Sequence, residues 1–489
     1  MDSPVVSVAE MRAAEDAAFA HGITAEALMD EAAEGIARAI QKFFPTPGRC
    51  VVFAGKGNNA GDALAAAALL QKSGWEIDLR TVFADEELGE LPRKKLAQLK
   101  RQTFAGECLG QIVLDGLLGL GAKPPLREPI RAACQEINRL HREHAAYVFA
   151  LDLPSGLDGD SGAADDDCVV ADFTVAIGAA KQGLLADDAL NFVGRLEVVS
   201  LGALTFTESP KAIVAEPSSL RTLLPRRSFG AFKNQFGRVG IVAGSKGFTG
   251  AALLCSLGAL RGGAGLVELF VPEEIYPIVA SAAAPEVMVK SVRSYDAVLD
   301  EPLDILALGP GLGRAHAEEI LRVIEAAPIT MVLDADGLNI LSEKMDVLGR
   351  CAGPRLLTPH PGEMKRLFPD ENGTRAERSR RFCEQYPVTL LLKGSRTIIS
   401  ETGRPQGYNT TGDPGMATGG MGDVLTGVCA ALLAQKLSNY DAARLGAWVC
   451  GRAAELAIFY GDASEQSLLP TDLLTHLGRA FRDLQGDFA

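Results

Sequence analysis

The sequence predicts an α/β protein of two domains, each a doubly wound sheet of parallel strands between helices. Three observations predict it. At 489 residues the chain exceeds what one core of roughly 100–200 residues fills. Short apolar runs alternate with helical stretches through most of its length. That alternation lapses between about Thr205 and Arg227 into charged residues and Pro210, Pro217 and Pro225, which sets the domain boundary there.

In chain order, residues 7–39 read as helices, with Met11, Ala14 and Ala18, then Leu28, Ala32 and Ile36, at helical spacing. After Pro45 and Pro47 come the runs CVVFAG (50–55), IDLRTVFA (77–84), IVLDGLLG (112–119), YVFALDLP (147–154), FTVAIG (173–178) and LEVVSL (196–201). Each is continuously apolar and ends at Gly, Asp or Pro, as buried parallel strands do. Past the boundary a second series begins: RVGIVAGS (238–245), LVELFVP (266–272), ILALGPGLG (305–313), TMVLDADG (330–337), RLLTPHPGE (355–363) and VTLLLKGS (388–395). Helical stretches at 420–435, 441–459 and 471–482 close the chain. The second domain is not a repeat of the first.

Composition is that of a globular protein: 47% hydrophobic, 22% charged, with 52 glycines and 25 prolines. A net charge of -14 argues against nucleic acid as a partner, because affinity there comes from neutralising phosphates. It leaves a nucleotide site open, since helix N-termini bind phosphate through backbone N–H groups. Nine cysteines (50, 108, 134, 168, 255, 351, 383, 429 and 450) form no C-x-x-C pair, so most are expected to be small buried apolar residues. Glu10, Arg12, Glu15 and Asp16 interrupt the apolar stretch a signal peptide needs, and no run of about 18 apolar residues spans a bilayer. A cytoplasmic location is expected.

The richest stretch is DPGMATGGMGDVLTG (413–427). Gly419, Gly420 and Gly422 lead into an apolar helix and can present successive N–H groups to an anion at its positive end. Asp423, in the first turn, can take a proton from a substrate hydroxyl beside that phosphate. A lone G-x-G-D reads equally well as a loop and an N-cap. Four companions favour chemistry: LLLKGSRT (390–397), TPHPGEM (358–364), ALGPGLG (307–313) and AGSKGFTGAA (243–252) all fall where strands end and helices begin, the edge at which α/β sheets bind ligands.

In the first domain, GKGNNAGDA (55–63) fits the dinucleotide fingerprint G-x-G-x-x-A loosely, with Asp78 near the place of a ribose-binding acid. A Rossmann oxidoreductase is therefore an alternative, although the amides of Asn58 and Asn59 suit hydrogen bonding or a hard cation better than pyrophosphate. Asp115, Asp152 and Ser155 each follow an apolar run, and with Asn59 they imply an oxygen-rich site on one sheet edge.

AGSKGFTGAA, ALGPGLG, DADGL, LLTPHPGEMKRL, LLLKGSRT and GMATGGMGDVLTG, in this order, resemble the ADP/ATP-dependent NAD(P)H-hydrate dehydratases of the ribokinase-like superfamily, over nearly all of residues 218–486. The resemblance implies that Lys393, Gly394, Ser395, Arg396, Thr397 and Gly422 contact ADP. It implies further that Ala251, Gly313, His360 and Asp423 contact the hydrated nicotinamide, with Asp423 as catalytic base and Mg²⁺ beside the phosphates. Met421 stands where that family often has Thr. EMRAAEDAAFAHGITAEALMDEAA with the first-domain motifs resembles the NAD(P)H-hydrate epimerases over roughly residues 5–205, a Rossmann-like three-layer αβα fold. Here the resemblance assigns the hydrate to Asn58, Asn59, Ala60, Gly61 and Asp62, to the loop of Gly119, Leu120, Gly121, Ala122, Lys123, Pro124 and Pro125, and to Asp152 as the proton-transfer residue. K⁺ falls to Asn59, Asp115 and Ser155. Ala60 and Ala63 stand where that family usually has Gly, two added methyls expected to narrow the site.

The expected domains are thus residues 1–210, an epimerase, and residues 218–489, an ADP-dependent dehydratase. Expected partners are NADH hydrate, NADPH hydrate and ADP, with neither nucleic acid nor membrane, in a homo-oligomer. Two other functions fit: a kinase for another alcohol that retains the phosphate, and an N-terminal half that binds without catalysis.

Overall fold

A computed structural model describes residues 2–100, 112–206, 209–370 and 372–486. The chain divides into two compact units, one of residues 3–211 and one of residues 212–489 with the first two residues.

The N-terminal unit holds a six-stranded parallel sheet in the order Glu76–Thr81, Arg49–Ala54, Ile112–Gly116, Tyr147–Leu151, Phe173–Ile177, Arg195–Val199. All six runs read from the sequence form strands. Arg49–Ala54 pairs with the next strand in sequence on one side and with Ile112–Gly116 on the other, so the winding reverses between these two. A crevice opens outside the carboxyl ends of strands at such a reversal, the usual place for a ligand. The helix Asn58–Lys72 starts there. Ahead of the sheet lie helices Val8–Ala20, begun by a capping box of Ser7 and Glu10, and Ala25–Phe43, capped by Thr24. Their apolar stripes, including Met11, Ala14, Ala18, Leu28, Ala32 and Ile36, are buried.

The C-terminal unit repeats the logic at greater size. Seven parallel strands run in the order Val287–Val292, Leu266–Pro272, Arg238–Val242, Ile305–Leu308, Thr330–Leu333, Arg355–Leu357, Thr389–Leu392, with the reversal between Arg238–Val242 and Ile305–Leu308. Thr397–Ser400 and Gln406–Asn409 extend the sheet antiparallel, and Ala212–Val214 adds to Gln406–Asn409 in parallel. The sequence reading missed Val287–Val292, of whose residues only Val287 is buried, and the three short strands, which are too brief to show a period. Ala212–Val214 falls inside the stretch read as a linker.

The helix Met421–Ala434 is apolar nearly all round because it is wrapped by the sheet and by helices Thr249–Arg261 and Asn439–Phe459. Glycines let the first of these approach: a Cβ added to Gly427 would stand 2.0 Å from the Cys255 carbonyl oxygen, and one on Gly258 would stand 2.5 Å from that of Val424. This packing fixes the first turn of Met421–Ala434, and hence Asp423, against the sheet. Of the cysteines, Cys108 lies outside the described residues, Cys351 is half-buried and the other seven are buried and unbridged.

Candidate functional site

In the C-terminal unit the helix Met421–Ala434 begins at Gly420, which takes φ 96 and has no side chain to cap the first turn. Asp423 is therefore not the N-cap. The open N–H groups face outward at the positive end of the helix. Asp423 is half-buried, and its carboxyl is pushed up to about 7, by burial first and then by the charge of Asp334, with the Lys393 ammonium pulling the other way.

Asp334, part of the DADG run but given no role by the sequence, proves central. It is 1% exposed and follows the strand Thr330–Leu333. One carboxylate oxygen accepts from Lys393 Nζ at 2.7 Å and the other from Thr426 Oγ1 at 2.8 Å. A Cβ added to Gly422 would lie 3.2 Å from Lys393 Nζ and 3.5 Å from Asp334 Oδ2, so the glycine admits both groups to the helix's first turn. Glu363 Oε2 sits 4.0 Å from Lys393 Nζ. Burial would lower the lysine's pKa, but the carboxylates of Asp334 and Glu363 outweigh it and hold Lys393 charged. Burial raises Glu363.

His360 caps the helix Pro361–Leu367: its Nδ1 accepts from the Gly362 and Glu363 N–H groups at 3.0 and 3.4 Å, while Glu363 accepts the His360 N–H at 2.8 Å. Nδ1 is thus committed, and Nε2 stands 3.4 Å from Glu363 Oε1 on a ring that is otherwise exposed. Across the winding reversal, Gly244 N–H donates to the Pro310 carbonyl at 2.8 Å and Ser245 Oγ to that of Gly311 at 2.8 Å. This ties the two glycine turns together. Gly313 N–H donates to Asp336 Oδ2 at 2.8 Å, and Ala251 packs close to Gly311. Of the KGSRT run, Gly394 and Ser395 are exposed and Arg396 is buried; Lys393 points inward to Asp334 rather than outward with its neighbours.

In the N-terminal unit three strand ends converge. Ser155 gives Asp115 two hydrogen bonds, from Oγ at 2.7 Å and from N–H at 2.8 Å, and Leu118 N–H donates to Ser155 Oγ at 3.0 Å. Asp115 is fully buried, and this desolvation lifts its carboxyl to about 6 despite those bonds. Asn59 Nδ2 donates to the Leu118 carbonyl at 2.7 Å, while its Oδ1 is buried with no hydrogen-bond partner. An orphaned amide oxygen, a buried carboxylate and a hydroxyl form an all-oxygen set that fits a hard cation. Among the described residues no group of three His, Cys, Asp or Glu side chains has the arrangement of a metal site. Asn59 and Asp152 flank Gly119, whose added Cβ would stand 3.3 Å from Asn59 Cβ and 3.6 Å from Asp152 Oδ2.

Asp152 takes the left-handed region at φ 67 and pairs with Lys181, a fully buried lysine that also donates to the Ile177 carbonyl at 2.7 Å. The sequence reading missed Lys181, since a lysine in a short buried strand carries no local signal. It also missed Glu15, which burial and the charge of Asp152 raise. Asp62 is raised too, by burial and by the charges of Asp152 and Glu15. The methyls of Ala60 and Ala63 point into packing: Ala60 joins Leu64, Leu88 and Leu96, and Ala63 Cβ covers Gly116. Asp78 pairs with Arg80 at 3.3 Å on the edge strand, so it is already engaged.

Fold and sites together define a two-domain α/β enzyme whose larger unit is of the carbohydrate-kinase type. The family profile described as NAD(P)H-hydrate dehydratase matches residues 239–478, and that described as YjeF-related protein N-terminus matches residues 25–183. A bifunctional NAD(P)H-hydrate repair enzyme of Moorella thermoacetica is 33% identical over 94% of this chain and 92% of its own. One from Gloeobacter violaceus is 36% identical over 92% and 93%. Among solved structures, an ADP/ATP-dependent NAD(P)H-hydrate dehydratase from Bacillus subtilis, crystallised with ATP and Mg²⁺, is 28% identical, covering 55% of this chain and 97% of its own at a TM-score of 0.49. The chain belongs to the family of bifunctional NAD(P)H-hydrate repair enzymes.

Proposed function

We propose that the protein repairs hydrated NADH and NADPH with two activities. The N-terminal unit interconverts the R and S hydrates, and the C-terminal unit dehydrates the S form at the expense of ADP. The observation that carries this reading is the juxtaposition of an uncapped glycine-led helix start with Asp423, a carboxyl raised to about 7 that is poised to take a proton near neutrality.

Hydroxide is a poor leaving group from C6 of the hydrate. Asp423 removes the C6 hydroxyl proton, and the oxygen attacks the β-phosphate of ADP, releasing AMP. The glycine loop and Lys393 hold the phosphates as charge shifts toward AMP. Phosphate then leaves C6, pushed by the N1 lone pair, and loss of a C5 proton restores the ring double bond. Mg²⁺ would supply further charge neutralisation at the phosphates. Ala251, Gly313 and the exposed ring of His360 line the hydrate's side, and the run from Gly394 to Thr397 the nucleotide's.

At the N-terminal site Asp152 exchanges the proton for epimerisation, supported by Lys181, with Asn58 to Asp62 and the Gly119–Pro125 loop around the hydrate. Asn59 Oδ1, Asp115 and Ser155 Oγ would hold K⁺ and so neutralise the buried Asp115. The partners are small molecules. Among the described residues no helix is long and apolar enough to cross a membrane; a cytoplasmic homo-oligomer completes the proposal.

The test is incubation with racemic hydrate, ADP, Mg²⁺ and K⁺ while following the dihydronicotinamide absorbance. Full recovery supports both activities, recovery stalling near half supports the dehydratase alone, and a stable phosphorylated product favours a kinase for another alcohol.

A further inference from the structure

Resting on the dehydratase reading, we propose that Asp334 is the positioning residue of that site. One of its oxygens aims the Lys393 ammonium at the first turn of Met421–Ala434, and the other anchors that helix through Thr426.

The geometry carries it. Asp334, at the end of Thr330–Leu333, reaches both neighbouring elements of the site: Lys393, one residue past the strand Thr389–Leu392, and Thr426, three residues after Asp423 on the same helix. Lys393 Nζ is thereby fixed 3.2 Å from where a Gly422 side chain would begin, in the space that glycine leaves beside the open N–H groups. Ala335 takes φ 49, so the turn after Asp334 is held in a conformation that a non-glycine residue adopts at a cost. A buried ion pair is weak evidence for stability, because apolar residues of equal volume pack as well without desolvation. Strain next to a buried charge pair therefore points to function.

Both Asp334 carboxylate oxygens are engaged, by Lys393 and by Thr426, so Asp334 acts through these neighbours. The ionisable groups facing Asp423 are Asp334, Lys393 and the buried thiol of Cys255 on Thr249–Arg261, with Glu363 and then His360 beyond Lys393. Asp334 opposes ionisation of Asp423 and Lys393 favours it. Loss of either charge therefore moves the base in opposite directions, which a merely structural pair would not do.

The experiment is the pH profile of kcat and of KM for ADP in the full chain, for wild type, Asp334→Asn and Lys393→Gln, with thermal melts alongside. The wild-type acid limb is expected near pH 7. Asp334→Asn moves it down by about one unit, so activity at pH 6 rises as a fraction of the variant's own maximum, while KM for ADP increases. Lys393→Gln moves the limb up by about as much. Limbs coincident with wild type in both variants overturn the proposal, however far kcat falls. If Asp334→Asn does not fold, an unmoved limb in Lys393→Gln overturns it alone. A carbon-13 titration of the Asp423 carboxyl reads the same shifts without turnover. Should the wild type fail to dehydrate the hydrate, the functional reading falls, and the titration alone decides whether Asp334 and Lys393 set the charge of Asp423.

Discussion

The carboxylate of Asp152 is paired with the ammonium of Lys181, a lysine with no exposed surface, and the Asp152 backbone is held in the left-handed region. The carboxylate that we propose as the proton-transfer group is thus held in place by a residue 29 positions further along the chain.

Lys181→Met should leave Asp152 as an uncompensated buried charge, a loss of about 3–5 kcal/mol in unfolding free energy. Interconversion of an epimer-enriched hydrate should fall to background. Urea unfolding and polarimetry check the two effects; wild-type epimerisation in this variant would remove Lys181 from the site. Asp152→Asn, which keeps shape but leaves the fully buried Lys181 as the unpaired charge, should lose epimerisation with a stability cost of the same order.

Asp423→Ala should lower dehydration by at least about 100-fold, the low end for a lost general base. ADP binding by calorimetry should stay unchanged, because the open N–H groups remain. In the wild type the active form is the deprotonated carboxyl, so turnover should be lost as pH falls through about 7. Near-normal turnover in the variant sinks the assignment.

K⁺ should raise the melting temperature at fixed ionic strength, choline chloride serving as the control. At a hundredfold excess over Kd the increment corresponds to about 2.7 kcal/mol. Asp115→Asn or Ser155→Ala should abolish it. An equal increment in both variants would move the ion elsewhere.

Gly427→Ala should destabilise by about 1–3 kcal/mol, since its Cβ would meet backbone atoms of Cys255 and Ala259 at 2.0 and 2.7 Å and force the two helices apart. Melting temperature and the KM for ADP should both worsen. An unchanged KM would show that the first turn of Met421–Ala434 is positioned independently of that packing.

Much of both sites was legible locally. The glycine cluster at 419–422, the carboxylate one turn into an apolar helix and the strand-end motifs each bear a short-range pattern, because parallel strands are buried on both faces and read as unbroken apolar runs. Asp115 and Ser155 were legible for the same reason. Lys181 and the contact of Glu363 with Lys393 were not: a lone lysine in a two-residue strand looks like any other, and the TPHPGEM motif names no partner for its glutamate. Their partners, Asp152 and Lys393, lie 29 and 30 residues away, as the numbering shows.

Sequence by itself determined two α/β units, the order of nearly all their strands along the chain, and the residue types gathered at the strand ends. Only tertiary structure decided which of those residues meet. It turned Lys393 inward onto Asp334, set Lys181 against Asp152, left Asn59 Oδ1 without a donor and placed the Ala60 and Ala63 methyls in packed regions. The physical reason is that apolar periodicity acts over a few residues, whereas a buried charge selects its partner through space, under a desolvation cost that only the folded chain imposes.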